Sequence, residues 1–154
     1  MDGAAGRVEA IWIAEAAGAP MRSLEEVEAV AGVGLAGDRY ASGAGHWSPM
    51  RRSGDVLTIV EGEVVDAVAA RHGIGPGDTR RNIVTRGVRL DELIGREVRV
   101  GAVRCRVIRL CEPCSYLDGL LDTSVLADLV HVGGVRVEIL TTGRISVGDP
   151  VKPA

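Results

Sequence analysis

The chain has 154 residues, 46% hydrophobic and 25% charged, with a formal charge of −3. That length supports one domain with its own core, and the acidic balance excludes the basic excess usual in nucleic-acid-binding proteins. No stretch reaches the roughly 18 apolar residues of a membrane span, and Met1-Asp2-Gly3-Ala4-Ala5-Gly6-Arg7 lacks the basic and apolar regions of a secretory signal, so a cytoplasmic location is expected.

Residues 8–14, Val-Glu-Ala-Ile-Trp-Ile-Ala, read as a strand. Ser23-Leu24-Glu25-Glu26 matches a helix capping box that Val27 to Val30 could continue. Alternation of Val27, Ala29 and Ala31 suits a strand equally, and periodicity leaves both readings open. Residues 32–54 hold six glycines and one proline and read mainly as loop. Within them, Gly37-Asp38-Arg39-Tyr40 reads as a turn with an exposed Asp–Arg pair, which contributes little.

Residues 56–60 form a short apolar strand. Residues 61–72 are the best helix, with Val64, Val65, Val68 and Ala69 on one face and Gly73 as its stop. Gly75-Pro76-Gly77-Asp78 is a turn, residues 82–85 are strand-like, and residues 90–95 make a short helical turn. Residues 97–100 and 103–110 alternate about Gly101-Ala102, as a hairpin with glycine first in its loop requires. Val103, Cys105 and Val107 then face the core, against Arg104 and Arg106. A helix is expected at 123–130, a strand at 135–139, and a turn with a last strand at 146–151. Many short strands with few helices predict a mainly β, barrel-like single domain over residues 1–154, α+β in class. With no Phe, the core must be Val, Leu, Ile and Ala.

Two segments carry chemistry. Cys111-Glu112-Pro113-Cys114 places two of the three cysteines three apart after a strand. An odd cysteine count in a reducing compartment points to free, catalytic or metal-binding thiols. Cys114 follows Pro113, where a helix start and Arg109 nearby would lower its pKa and supply a thiolate; Cys111 reads equally well as a small buried hydrophobe. Zinc would need Cys105, Cys111, Cys114 and one of His46, His72 or His131, without a second Cys-x-x-Cys or a spaced His pair, so no structural zinc is expected. The second segment is Arg80-Arg81-Asn82. Arg offers a planar fork for phosphate or a pterin edge and Asn both donor and acceptor; the plainer reading is surface arginine with Asn82 in a turn. Of the 18 basic residues only Lys152 is lysine, so abundant arginine is a compositional habit here.

The ordered set Gly34-Leu35-Ala36-Gly37-Asp38-Arg39-Tyr40, Arg80-Arg81-Asn82-Ile83-Val84-Thr85-Arg86-Gly87, Leu93-Ile94-Gly95, Val100-Gly101, Cys111-Glu112-Pro113-Cys114 and Gly143-Arg144-Ile145-Ser146-Val147-Gly148-Asp149 resembles the MOSC domain. That module closes eukaryotic molybdenum-cofactor sulfurases and occurs in amidoxime-reducing proteins and as stand-alone bacterial proteins. The resemblance implies a β-barrel-like fold and a molybdenum cofactor (molybdopterin). It implies Cys114 as the catalytic thiolate and molybdenum ligand. Arg80 and Asn82 would hold the pterin, with Arg81 and Arg39 also in the cofactor-binding set. It implies either an oxidoreductase of N-hydroxylated compounds, served by an electron-transfer partner, or a non-enzymatic sulfur carrier with a persulfide on Cys114, served by a cysteine desulfurase. A third reading is an inert binding or scaffold module.

Overall fold

The computed structural model describes residues 6–42, 56–75, 77–111 and 133–154. Cys114, Glu112, Pro113, His46, His131 and the helix expected at 123–130 lie outside the described residues.

Eleven strands and two α-helices are described: β1 Gly6–Ile13, β2 Arg22–Leu24, β3 Glu26–Val30, β4 Gly34–Leu35, α1 Arg39–Ser42, β5 Leu57–Glu61, α2 Gly62–His72, β6 Ile83–Arg86, β7 Glu97–Val100, β8 Val103–Leu110, β9 Val135–Ile139, β10 Gly143–Ser146 and β11 Pro150–Pro153. A 3-10 turn covers Leu90–Leu93. Seven strands close a barrel in the order β1-β11-β7-β8-β9-β5-β6 and back to β1, with β2 added along the second half of β1. Closure is made where Gly6 faces Val151 and Arg7 faces Pro150. The pairings are antiparallel except β5 with β6, which run parallel and are joined through α2.

Alternation builds the core. Val98, Val100, Val103, Cys105, Val107, Val135 and Val137 point inward from neighbouring strands. Two bulges keep it in phase. On β1, Val8 and Ile11 are an odd number of positions apart, yet both are buried, because the ladder with β6 shifts register between Val8 and Ala10. On β8 the ladder with β9 shifts between Val107 and Arg109, so Val107 and Leu110 both pack on the core. Gly101 has φ 60° in the β7–β8 turn, the positive value that the hairpin loop demands.

The helix reading of residues 23–30 is overturned. Those residues form β2 and β3, and β3 pairs with β10 so that Val27 faces Ile145, both buried, while Glu26 and Glu28 point out. Cross-strand burial outweighs the local cap. The region read as loop contains β4, whose Leu35 joins the barrel core. Helix α2 is as expected: Val65 and Val68 are buried, and Val65 packs with Val60 and Val84 on the outer face of the barrel. Gly73, at φ 68°, donates its N–H to the Ala69 carbonyl and ends the helix.

Candidate functional site

Asn82 sits just before β6 and is 1% exposed. Its Oδ1 accepts from the Thr58 N–H at 3.2 Å and the Thr58 hydroxyl at 3.3 Å, and its Nδ2 donates to the Trp12 carbonyl at 3.1 Å. The backbone repeats the connection: Asn82 N–H donates to Thr58 Oγ1 at 2.9 Å, and Trp12 N–H to the Asn82 carbonyl at 2.7 Å. Asn82 therefore fastens β1, β5 and β6 together; it is neither in an exposed turn nor on the surface.

Arg81 is buried as well, and its guanidinium gathers three carbonyls. Nε donates to Gly133 at 2.7 Å, Nη2 to Cys111 at 3.2 Å and Nη1 to Thr79 at 3.4 Å. Cys111 N–H in turn donates to the Gly134 carbonyl at 2.8 Å. Arg81 thus joins the Arg80-x-Asn82 segment to both roots of the segment that carries Cys114. All its hydrogen-bond partners among the described residues are neutral, so it brings a buried positive charge to that junction.

Arg80 is the only non-glycine residue of positive φ among the described residues, at 61°. That left-handed conformation costs of order 1 kcal/mol or more for a side chain with a Cβ. Among the contacts that hold it, Arg80 Nη1 donates to the Ala19 carbonyl at 2.7 Å, and Arg39 Nη2 donates to the Arg80 carbonyl at 3.3 Å.

The Asp38–Arg39 pair is not the exposed pair expected. Asp38 Oδ1 and Arg39 Nη1 are 3.0 Å apart, with side chains 0% and 7% exposed. Asp38 also accepts from the backbone N–H groups of Ala14 and Tyr40, and the guanidinium lies 4.7 Å from the Tyr40 ring centroid. A pair this enclosed is matched by hydrogen bonds, and removing one partner would strand the other's charge. Arg39 reaches the cluster as a support for the Arg80 backbone.

Of the thiols, Cys105 is fully enclosed in the core, and burial pushes its pKa up to about 12. It cannot serve as a thiolate in the folded protein. Cys111 is 1% exposed. Among the described residues no three His, Cys, Asp or Glu side chains are grouped as a metal site.

Measured against an anionic, metal-bearing pterin, this donor set fits in charge, because the hydrogen-bond partners of Arg81 among the described residues are all carbonyls. Arg39 is neutralised by Asp38. In direction, Arg39, Arg81 and Asn82 are largely committed to the protein itself. Spacing could locate these residues but could not show Thr58, Gly133 and Ala19 as their partners, since those contacts span 24, 52 and 61 residues.

A closed seven-stranded barrel in which Arg81 braces Cys111 and Gly133 defines a class of small β-barrel module. A family model of the MOSC domain matches residues 51–152, and the chain belongs to that family. The Gly34–Tyr40 stretch precedes the matched span. Among solved structures, the YuaD protein from Bacillus subtilis is 17% identical with a TM-score of 0.77, covering 97% of this chain and 95% of that one. YiiM from Escherichia coli is 18% identical with a TM-score of 0.65, covering 96% and 69%. YiiM from Geobacillus stearothermophilus is 15% identical with a TM-score of 0.69, covering 97% and 75%. At these identities the likeness shows the fold. No curated protein matches the chain.

Proposed function

We propose that this protein binds the molybdenum cofactor and acts as an oxidoreductase on N-hydroxylated compounds, with Cys114 as the metal-ligand thiolate. One observation supports the reading most: Arg81 ties the Arg80–Asn82 segment to the carbonyls of Cys111 and Gly133, the two roots of the segment bearing Cys114. The bound metal would supply two-electron redox chemistry. The chain's own residues bind and orient. Arg80 is the guanidinium assigned to the anionic edge of the pterin, beside its hold on the Ala19 carbonyl. Arg81 fixes the cysteine segment and contributes a positive charge that favours anions arriving there. Asn82 and Arg39 are positioning residues: the first locks the strands beneath the segment, the second supports the strained Arg80 carbonyl. Cys114 must stay reduced, which suits a cytoplasmic setting and an electron-transfer partner.

The test is the molybdenum and pterin content of protein expressed in a cofactor-sufficient host. Near-stoichiometric molybdenum is expected, lost in Cys114→Ser and kept in Cys111→Ser. A persulfide-shifted mass on Cys114 without molybdenum would replace this reading with that of a sulfur carrier charged by a cysteine desulfurase. Neither metal nor persulfide would leave an inert module.

A further inference from the structure

Ile11 and Ile13 point into the barrel, so Trp12 between them points out, where it packs with Val60, Val65 and Val84. The indole has a further neighbour in the turn that follows α2. A Cβ at Gly77 would lie 2.7, 2.8 and 3.0 Å from Cε3, Cζ3 and Cδ2 of Trp12, closer than real side-chain contacts come. Gly77 is not at a positive φ, so its backbone would admit alanine, and the obstacle is the ring. The turn therefore lies directly on the six-membered ring of the indole.

That turn runs straight into the candidate site. Arg80 N–H donates to the Gly77 carbonyl at 3.1 Å, and Arg80 itself is held at φ 61°. On the far side, the main chain of Trp12 meets Asn82: Asn82 Nδ2 donates to the Trp12 carbonyl at 3.1 Å, and Trp12 N–H to the Asn82 carbonyl at 2.7 Å. One residue thus grips the segment on both sides of Arg80, Gly77 through its ring and Asn82 through its backbone. Trp12 Nε1 is enclosed and has no hydrogen-bond partner among the described residues. A buried donor left unmet costs stability, so the indole is kept there for the breadth of its ring rather than for its polar edge. We propose that Trp12 is a positioning residue for Arg80: its ring is the platform under the 77–80 turn and sets where the Arg80 guanidinium is presented. This rests on the cofactor reading only for the ligand that Arg80 meets.

The experiment is amide hydrogen exchange of the intact protein by NMR, read as the ratio of the Arg80 rate to the Asn82 rate, with melting temperature and pterin content alongside. Asn82 N–H is the internal reference, because it donates to Thr58 Oγ1 and not to the turn. Trp12→Leu and Gly77→Ala are each expected to raise the ratio at least about tenfold, since the turn then opens locally without the ring beneath it. Trp12→Phe keeps a flat ring and should recover part of that change. Val65→Ala is the control: it thins the same apolar cluster from α2, and should lower the melting temperature with the ratio unchanged. A ratio unchanged in both Trp12→Leu and Gly77→Ala, or raised equally by Val65→Ala, overturns the platform. If Trp12→Leu fails to fold, Gly77→Ala and Trp12→Phe decide by the same ratio. Where wild-type protein carries pterin, Gly77→Ala should retain at least about tenfold less, as for loss of a charge-assisted hydrogen bond. Full retention there overturns the positioning role and leaves the cofactor reading intact. Wild-type protein without pterin removes the cofactor reading, and a raised ratio then still supports the platform.

Discussion

The amide of Asn82 joins three strands that the chain brings together from positions 12, 58 and 82. Asn82→Ala would leave the Thr58 N–H and the Trp12 carbonyl without these partners in a buried place. The expected loss of stability is about 2–6 kcal/mol, from an orphaned donor and acceptor at roughly 1–3 kcal/mol each. Denaturant unfolding measures it, and an unchanged midpoint would show that Asn82 serves a ligand rather than the frame. The sequence marks this residue, because an asparagine two positions after an arginine is conspicuous between apolar strands. It conceals the role, since the partners come from distant parts of the chain. Arg39 teaches the same lesson. Adjacent Asp and Arg read as a surface pair, while burial of Asp38 against the Ala14 and Tyr40 N–H groups makes them part of the interior. Cys105 is the opposite case: alternation alone assigns it to the core, and its raised pKa follows from that position.

At the level of elements, β1 was legible as an apolar run, β7, β8 as far as Val107, and β9 by their alternation, and α2 by its apolar face and glycine stop. The segment 23–30 was ambiguous because a capping box and a period-two pattern overlap there. The outcome depended on β10, more than a hundred residues later. The bulges on β1 and β8 could not be read either, since each is defined by a partner strand. The junction of β5 and α2 carries its own testable consequence. Glu61 lies in a cleft with Arg89, Leu90, Asp91, Leu110, Gly134 and Val135, and its Oε2 accepts the Leu90 N–H at 3.0 Å. Burial raises its pKa, against the lowering effect of that hydrogen bond and of Arg89. The folded state therefore binds this proton more tightly than the unfolded chain. The associated stability is complete below the ordinary carboxylate range and is lost as pH rises through the folded-state value. Glu61→Gln keeps an acceptor for Leu90 and removes the titration. Its melting temperature should change less than the wild type's across mildly acidic pH and match or exceed it at neutral pH. A wild-type protein that gains stability from this group as pH rises would contradict the assignment.

For the molecule as a whole, barrel closure depends on strands from opposite ends of the described chain, β1 and β11. Such pairings must overcome the largest loop-closure entropy before any contact rewards it. Folding is expected on the order of milliseconds to seconds, as for other barrels rich in non-local pairs. Val151, fully buried between β1 and β7, should contribute late. Val151→Ala is expected to speed unfolding more than it slows folding, which stopped-flow kinetics can resolve. Folding within microseconds, or a purely slowed folding arm, would place closure early instead.

The hold of Arg81 on Cys111 and Gly133, with the hydrogen bond from Cys111 to Gly134, means that the chain leaves the barrel and re-enters it at adjoining points. What lies between those points can lengthen, shorten or change composition without shifting any strand. Each doubling of such an excursion costs only about 0.6 kcal/mol in closure entropy. Selection can thus revise the segment between them while the scaffold stays constant, so relatives can diverge in that sequence long before they diverge in shape.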